Sequence, residues 1–267
     1  MRLADVRALA LEARGLGLAL RDEVSIGHAG PIVVSGILAE QLAKELGAGA
    51  APGAVVFGAG RPDPSASVHV HIIAGDPSAE DEALVRGAAP HGVEVVVVEL
   101  WPQADWTRPF VLSPFVVECR AGEGFPVGAI ADRIVEATEV ATDLASKVPM
   151  LANAARSALV KRAVVRSAVI GLVGSRLGAS RPLLVGEQVR LVACLRTVSS
   201  GSAASEEIPA LAGGAAALVA SGFALRRAAR TARAMLPAPL AHAAIAAGGT
   251  WAFAKAFEKL ESRLPSA

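Results

Sequence analysis

The feature that most restricts this chain is a set of short segments that are apolar at nearly every position. "GPIVVSG", "GAVVFG", "SVHVHIIAG", "GVEVVVVEL" and "PFVVEC" recur through residues 25–147, separated by helical patterns and loops. A strand with one wet face alternates apolar and polar residues, whereas a strand apolar throughout is covered on both faces. Parallel strands joined by helices produce that arrangement. The spacing predicts strands at Ile32 to Ser35 and Ala54 to Phe57, and further strands within 67–75, 92–100 and 114–125. It predicts helices at Leu38 to Leu46, at 78–89 with Ser78 as N-cap and acids in the first turn, and one closing helix over 127–148. Residues 1–24 read as an N-terminal helix in which Arg and Asp/Glu interleave with Leu and Val. A signal peptide would keep its apolar stretch free of charge, so export is not expected.

Pro149 marks a change of pattern, and residues 148–267 read as an alanine-rich helical domain with breaks at "GASRP", "SSGSAAS" and "LPAP". The charge divides at the same place. Residues 1–149 hold 11 Lys/Arg against 20 Asp/Glu, a balance of −9, and residues 150–267 hold 15 against 5, a balance of +10. Such an asymmetry fits two units with different surroundings, either neutralising each other or offering a basic face to an anionic partner. The only two cysteines, Cys119 and Cys194, form no CxxC pattern. That favours a reducing cytoplasmic setting over a disulfide framework or zinc knuckle.

Ligands of parallel sheets sit at the carboxyl ends of the strands. A phosphate loop there needs G-x-x-x-x-G-K-[ST], whose backbone N–H groups wrap the phosphates while Lys and Ser/Thr meet the phosphate and magnesium. After the first strand the chain reads "SGILAEQLAKEL" instead, with one glycine, apolar Ile37 and Leu38 at the turn, and Lys44 two helical turns late. The dinucleotide G-x-G-x-x-G is missing too, so no nucleotide cofactor is expected. His69 and His71 share one strand face, yet no third ligand stands at diagnostic spacing, and core packing is the expectation over metal. Asp76, Glu80, Asp81 and Glu82 read as acids favouring a helix N-terminus rather than a magnesium set. Ser35, Ser113 and Cys119 show no base and orienter around them, and "AGEGF" reads as a tight turn. No catalytic residue, cofactor or metal is expected.

In the basic half, Ile208 to Leu225 runs 18 residues without charge and Ala234 to Ala254 runs 21 with only His242 titratable. Arg226, Arg227, Arg230 and Arg233 lie between them; at i, i+4 and i+7, three of these share one helix side with Arg227 beside them. A membrane hairpin with a basic linker is one reading. The six strongly apolar residues of the first run are worth only roughly −2 to −3.5 kcal/mol on the insertion scale. Small residues also suit close helix packing, so a soluble or surface-bound bundle is expected.

The tail from "EIPALAGG" to "AFEKL" resembles the C-terminal block of the bacterial GTPase-associated domain family of unknown function, the YcjF-like group. Gly222, Arg226 or Arg227, Arg230, Pro237, Ala244, Ile245, Ala246, Gly249 and Thr250 match its G-x-x-x-R-x-x-A-R run, Pro-containing loop and "AIAxxGT" turn. "EQVRLVACL", with Gln188, resembles its central helix, and the likeness covers roughly residues 155–260. Where the family has an acidic Gly-Ala-Asp-x-Pro turn this chain has "GASRP", and its Tyr-Gly is replaced at "TVSSG". Members are often joined to Era-like GTPases. The resemblance therefore implies that residues 25–147 are a degenerate GTPase-like domain, with "GVEVVVVELWPQ" and "VECRAGEGFPVGAIADRI" standing at the guanine-reading strands without the nucleotide motifs.

The expected fold class is thus α/β plus all-α: a parallel-dominated, GTPase-like sheet with helices on both faces, followed by a helical domain. The expected function is a cytoplasmic, non-catalytic scaffold or regulator, docking on a GTPase or other protein partner or on the anionic inner membrane surface. No specific nucleic-acid binding is expected. The Arg226, Arg227, Arg230 and Arg233 cluster is the candidate partner-facing site. The rivals are a weak nucleotide-binding or hydrolysing protein with an atypical site, and an integral membrane hairpin with a cytosolic α/β cap.

Overall fold

The structure, a computed structural model, describes residues 29–58, 60–102, 113–177, 180–200 and 237–261. These divide into two compact units: residues 29–158 with 198–200 form the first, and residues 159–197 with 237–261 form the second. The first unit holds five parallel strands: β1 (Ile32–Gly36), β2 (Val55–Phe57), β3 (Val68–Ala74), β4 (Glu94–Leu100) and β5 (Val116–Cys119). Their order is β2-β1-β3-β4-β5. The strand order reverses between β1 and β3, which is the doubly wound arrangement.

The helices α1 (Ala39–Leu46) and α2 (Ala79–Ala88) leave β1 and β3 toward opposite edges of the sheet. Right-handed crossovers then put them on opposite faces. On the α2 side, Leu84, Val85 and Ala88 pack with Val33, Ile73, Val95 and Val97. On the other side Ile32, Val34, Val68, Val70, Val96 and Val98 are completely buried, as are Leu42 and Leu46 of α1. α3 (Val127–Ala137) adds Ile130 and Ile134 to the same layer. Parallel pairing with helices on both faces is what the fully apolar strands call for.

The single helix expected over 127–148 is instead two, α3 and α4 (Ala141–Lys147). Thr138 breaks them: it is extended, at φ −115° and ψ 141°, and its hydroxyl accepts the Val140 N–H at 3.3 Å. A β-branched residue offering its own side chain to the backbone competes with helix continuation. α4 is tied back to the start of β1, since Asp143 accepts the Ala29 N–H at 2.6 Å and Lys147 donates to the Ala29 carbonyl at 2.9 Å.

After Pro149 every described residue that belongs to an element is helical: a 3-10 turn at Pro149–Leu151, then α5 (Ala152–Leu177), α6 (Ser180–Ser200) and α7 (Ala238–Glu261). In the second unit Val160, Ala163, Leu191, Leu195 and Ala254 form a small core with Phe253 and Phe257 against it. α5 and α7 approach closely at Gly171, where an added Cβ would stand 2.7 Å from the His242 carbonyl and 2.9 Å from Ala246 Cβ. The expected turn at Ala244 to Thr250 is continuous helix within α7, because Gly248 and Gly249 both keep negative φ among strong helix formers. Thr250 there donates to Ser167 at 2.8 Å, with both side chains fully buried. Among the described residues no helix is long and apolar enough to cross a membrane, α7 included.

Candidate functional site at the carboxyl edge of the sheet

The crevice of a doubly wound sheet opens beyond the carboxyl ends of the strands where the order reverses, here β1 and β3. The chain leaves β1 through Gly36, at φ +94°, where an added Cβ would come within 2.0 Å of the Ile72 carbonyl. Ile37 donates its N–H to that carbonyl at 3.1 Å. Leu38 then takes a left-handed conformation, φ 57° and ψ 20°, as the uncapped residue that opens α1. Left-handed backbone costs an L-residue with a Cβ about 1–2 kcal/mol. Ile37 and Leu38 are both half-exposed. The turn that follows β1 therefore presents two aliphatic side chains to solvent.

Trp101, just past β4, repeats this combination: it is half-exposed and left-handed at φ 55°, with its N–H bonded to the Cys119 carbonyl at 2.7 Å. It lines a shallow cleft of about 360 Å³ with Pro102, Glu118, Arg120 and Ala121. The loop beyond β5 closes in a tight turn, Gly122 at φ 82° and the Glu123 N–H bonded to the Arg120 carbonyl. Cys119 donates its thiol to the Gly124 carbonyl, and burial, then Glu123 and Glu45, push its pKa up, away from thiolate chemistry. Ser113 donates to the Val95 carbonyl at 2.5 Å and acts as a backbone brace.

Beneath the crevice, on the α2 face, lies a polar cluster. Parallel register sets Ser35 of β1 beside His71 of β3, and the two-residue repeat of a strand puts His69 on the same face. Ser35 Oγ lies 2.7 Å from His69 Nε2 and 2.8 Å from His71 Nδ1, and His71 Nε2 lies 2.6 Å from Asp81 Oδ1. Asp81 is held by its own helix: Ser78 donates its N–H and hydroxyl to Oδ2, each at 2.7 Å, and Ser78 Oγ accepts the Asp81 N–H. This is the capping box implied by Ser78 and the acids after it.

The donors and acceptors leave one consistent arrangement for the neutral cluster. A carboxylate only accepts, so His71 carries its hydrogen on Nε2 and offers a bare Nδ1. Ser35 then donates to His71 Nδ1, and its oxygen accepts from His69 Nε2–H. His69 Nδ1 is left without a hydrogen, buried and without a partner. Burial lowers the His69 pKa to about 4, reinforced by His71 and opposed by Asp63. For Asp81, burial alone would raise the pKa, but the hydrogen bonds from His71 and Ser78 prevail and lower it.

This cluster overturns the expectation that Ser35 has no base or orienter around it. Nucleophile, base and carboxylate stand in order, with the imidazole ends swapped relative to the familiar triad. Ser35 has no exposed surface, however, so its hydroxyl meets no substrate in this fold. The signal in the sequence was divided among three places, "VVSG", "HVH" and "SAED", which only register and capping bring together. Asp81 is committed to that cluster and Glu82 pairs with Arg86 at 3.5 Å, which takes both from any magnesium set. Among the described residues no group of three His, Cys, Asp or Glu side chains could hold a metal ion.

The Arg226, Arg227, Arg230 and Arg233 cluster, the N-terminal helix expected over 1–24 and the apolar run 208–225 lie outside the described residues. Of the residues on which the expected resemblance rests, Gln188 lies in α6, Pro237 directly precedes α7, and Ala244, Ile245, Ala246, Gly249 and Thr250 lie within α7. Comparison of the chain with protein-family models, with curated proteins and with solved structures gave no match.

Proposed function

We propose that this chain is a non-catalytic scaffold: a GTPase-like α/β layer without the nucleotide machinery, followed by a basic helical domain related to the GTPase-associated family. It docks on a protein partner, such as an intact GTPase, or on the anionic inner surface of the bacterial membrane. The observation that carries the reading is the Gly36–Ile37–Leu38 turn, which fills the crevice entrance with apolar side chains. Asp76 and Glu80, both exposed near the end of β3, add negative charge where a phosphate would need positive. Apolar and acidic groups together suit a cationic, apolar segment of a partner better than a nucleotide.

Isothermal titration of the whole chain with GTP or ATP and magnesium tests this. The expected result is no saturable binding tighter than about 10 μM, about −7 kcal/mol; tighter binding overturns the reading. The membrane form of docking has its own check, sedimentation with anionic vesicles. Arg226, Arg227, Arg230 and Arg233 together changed to Gln should abolish any binding, since each contributes roughly 1 kcal/mol near a charged surface. The cleft beside Trp101 favours the rival atypical ligand site. Under that reading the titration gives heat with wild type and none with Trp101→Ala.

A further inference from the structure

The hydrogen-bond chain through Ser35 has one open end. His69 Nδ1, bare of hydrogen in the neutral arrangement, keeps an unused lone pair and is buried without a partner. At the other end stands a carboxylate, Asp81, 2.6 Å from His71 and partly exposed. The Ser35 hydroxyl bridges the two rings, whose centroids are 6.4 Å apart.

We propose that His69, Ser35, His71 and Asp81 form a proton-binding relay that ties α2 to the sheet. A proton taken up at His69 Nδ1 displaces charge along the chain. The His69 Nε2–H bond breaks as its hydrogen passes to Ser35 Oγ, and the Ser35 hydrogen passes to His71 Nδ1. His69 ends neutral with its hydrogen on Nδ1, Ser35 regains a hydroxyl that now donates back to His69 Nε2, and His71 becomes an imidazolium facing Asp81. One proton enters, no heavy atom needs to move, and both hydrogen bonds to Ser35 survive with their direction reversed. The neutral tether between β3 and α2 becomes an ion pair.

The charge belongs on His71 because of what surrounds it. Asp81 contacts it directly, whereas Asp63, the acid on the His69 side, acts only through its field. Glu99 of β4 shares this sheet face, two residues beyond Val97, the register partner of His71. From α2, Arg86 pairs with Glu82 and is largely exposed, so it offsets little. The positive end of the α2 dipole opposes a cation here, and Glu80, Asp81 and Glu82 in its first turn counter it. Proton uptake would leave the carboxyl edge one charge less acidic. The relay is independent of the docking reading, since its readout lies in the unliganded chain.

Nitrogen NMR of the histidine rings in the full chain, followed from about pH 8 to about pH 5, tests it across the range in which imidazoles titrate. The expected result is a switch of His69 from the Nε2–H to the Nδ1–H tautomer, sharing one midpoint with protonation of His71. Ser35→Ala should uncouple the two, so that His71 still titrates while His69 keeps its tautomer. Asp81→Asn should move the shared midpoint down by about one pH unit or more, through loss of the opposite charge. If wild-type His69 keeps its Nε2–H tautomer while His71 protonates, the relay is wrong, whether or not the Ser35 variant folds. Labelling of Ser35 by a fluorophosphonate would also overturn it, by showing a solvent-reached nucleophile in place of a buried conduit.

Discussion

On the face of the sheet covered by α1 and α3, the inward side chains of the central strands are aliphatic: Ile32 and Val34, then Val68, Val70 and Ile72, then Val96 and Val98, all essentially without exposed surface. On the face covered by α2 the same three strands bury Ser35, His69, His71 and Glu99 among the valines. Both faces exclude water, but they specify different things. The aliphatic face supplies burial energy that has no direction and no dependence on pH. The polar face supplies direction. A one-residue slip of β1 against β3 would carry Ser35 to the opposite face and leave both imidazoles and Asp81 unmatched. The sheet thus draws its stability mainly from one side and its register from the other.

The comparison is broken most forcefully on the aliphatic side. Ile134 of α3 is completely buried, and Ile134→Ala should cost about 3 kcal/mol from lost burial plus the cavity left behind. Denaturant unfolding should show that loss undiminished between neutral and mildly acidic pH, because Cys119, the titratable group buried on that face, has its pKa pushed up and away from that range. A loss that varies strongly with pH would mean the two faces are coupled.

The polar face should show the opposite behaviour. The folded-state pKa of His69 is lowered to about 4 from an ordinary value near 6.5. Between those values the unfolded chain holds the proton and the folded chain does not, so stability falls as pH falls through that window and is flat above it. From about pH 6.5 to about pH 5 the His69 contribution is a loss of about 2 kcal/mol. His69→Gln keeps a donor toward Ser35 but cannot titrate, so this part of the pH dependence should vanish in urea melts taken across the window. An unchanged slope would place the acid sensitivity elsewhere.

These faces differed equally in how far the sequence disclosed them. "VEVVVV" can only be a strand covered on both sides, and Ser78 with acids behind it announced the start of α2, so the sheet and its helices were legible. The break at Thr138 was not, because Ile130, Ile134, Ala141 and Leu144 keep apolar spacing across it while one side-chain hydrogen bond ends the helix. The Ser35 cluster was hidden for a different reason. Its members lie 34 and 36 residues from Ser35 on β3, and Asp81 ten further on. Pattern within a segment carries no information about which strand lies beside which. Two histidines on one strand face read as core, which they are, yet their partner on β1 depends wholly on register.

The smallest expected effect sits at the crevice entrance and sharpens the comparison from outside both faces. Leu38 holds φ 57° while its side chain stays half in solvent, so it bears backbone strain and gains little burial in return. Glycine adopts that conformation freely and is tolerated at the residue opening a helix. Leu38→Gly should therefore stabilise the chain by about 1 kcal/mol, after the larger entropy of the unfolded glycine chain is set against the strain removed. The gain should appear as a higher Tm at neutral and acidic pH alike, since neither face of the sheet is touched. Under the docking reading the same variant should bind its partner less well, because Leu38 is then a contact held in place at the expense of stability. A lower Tm would show that Leu38 packs against something worth more than its strain, and the entrance would be a structural corner rather than a docking surface.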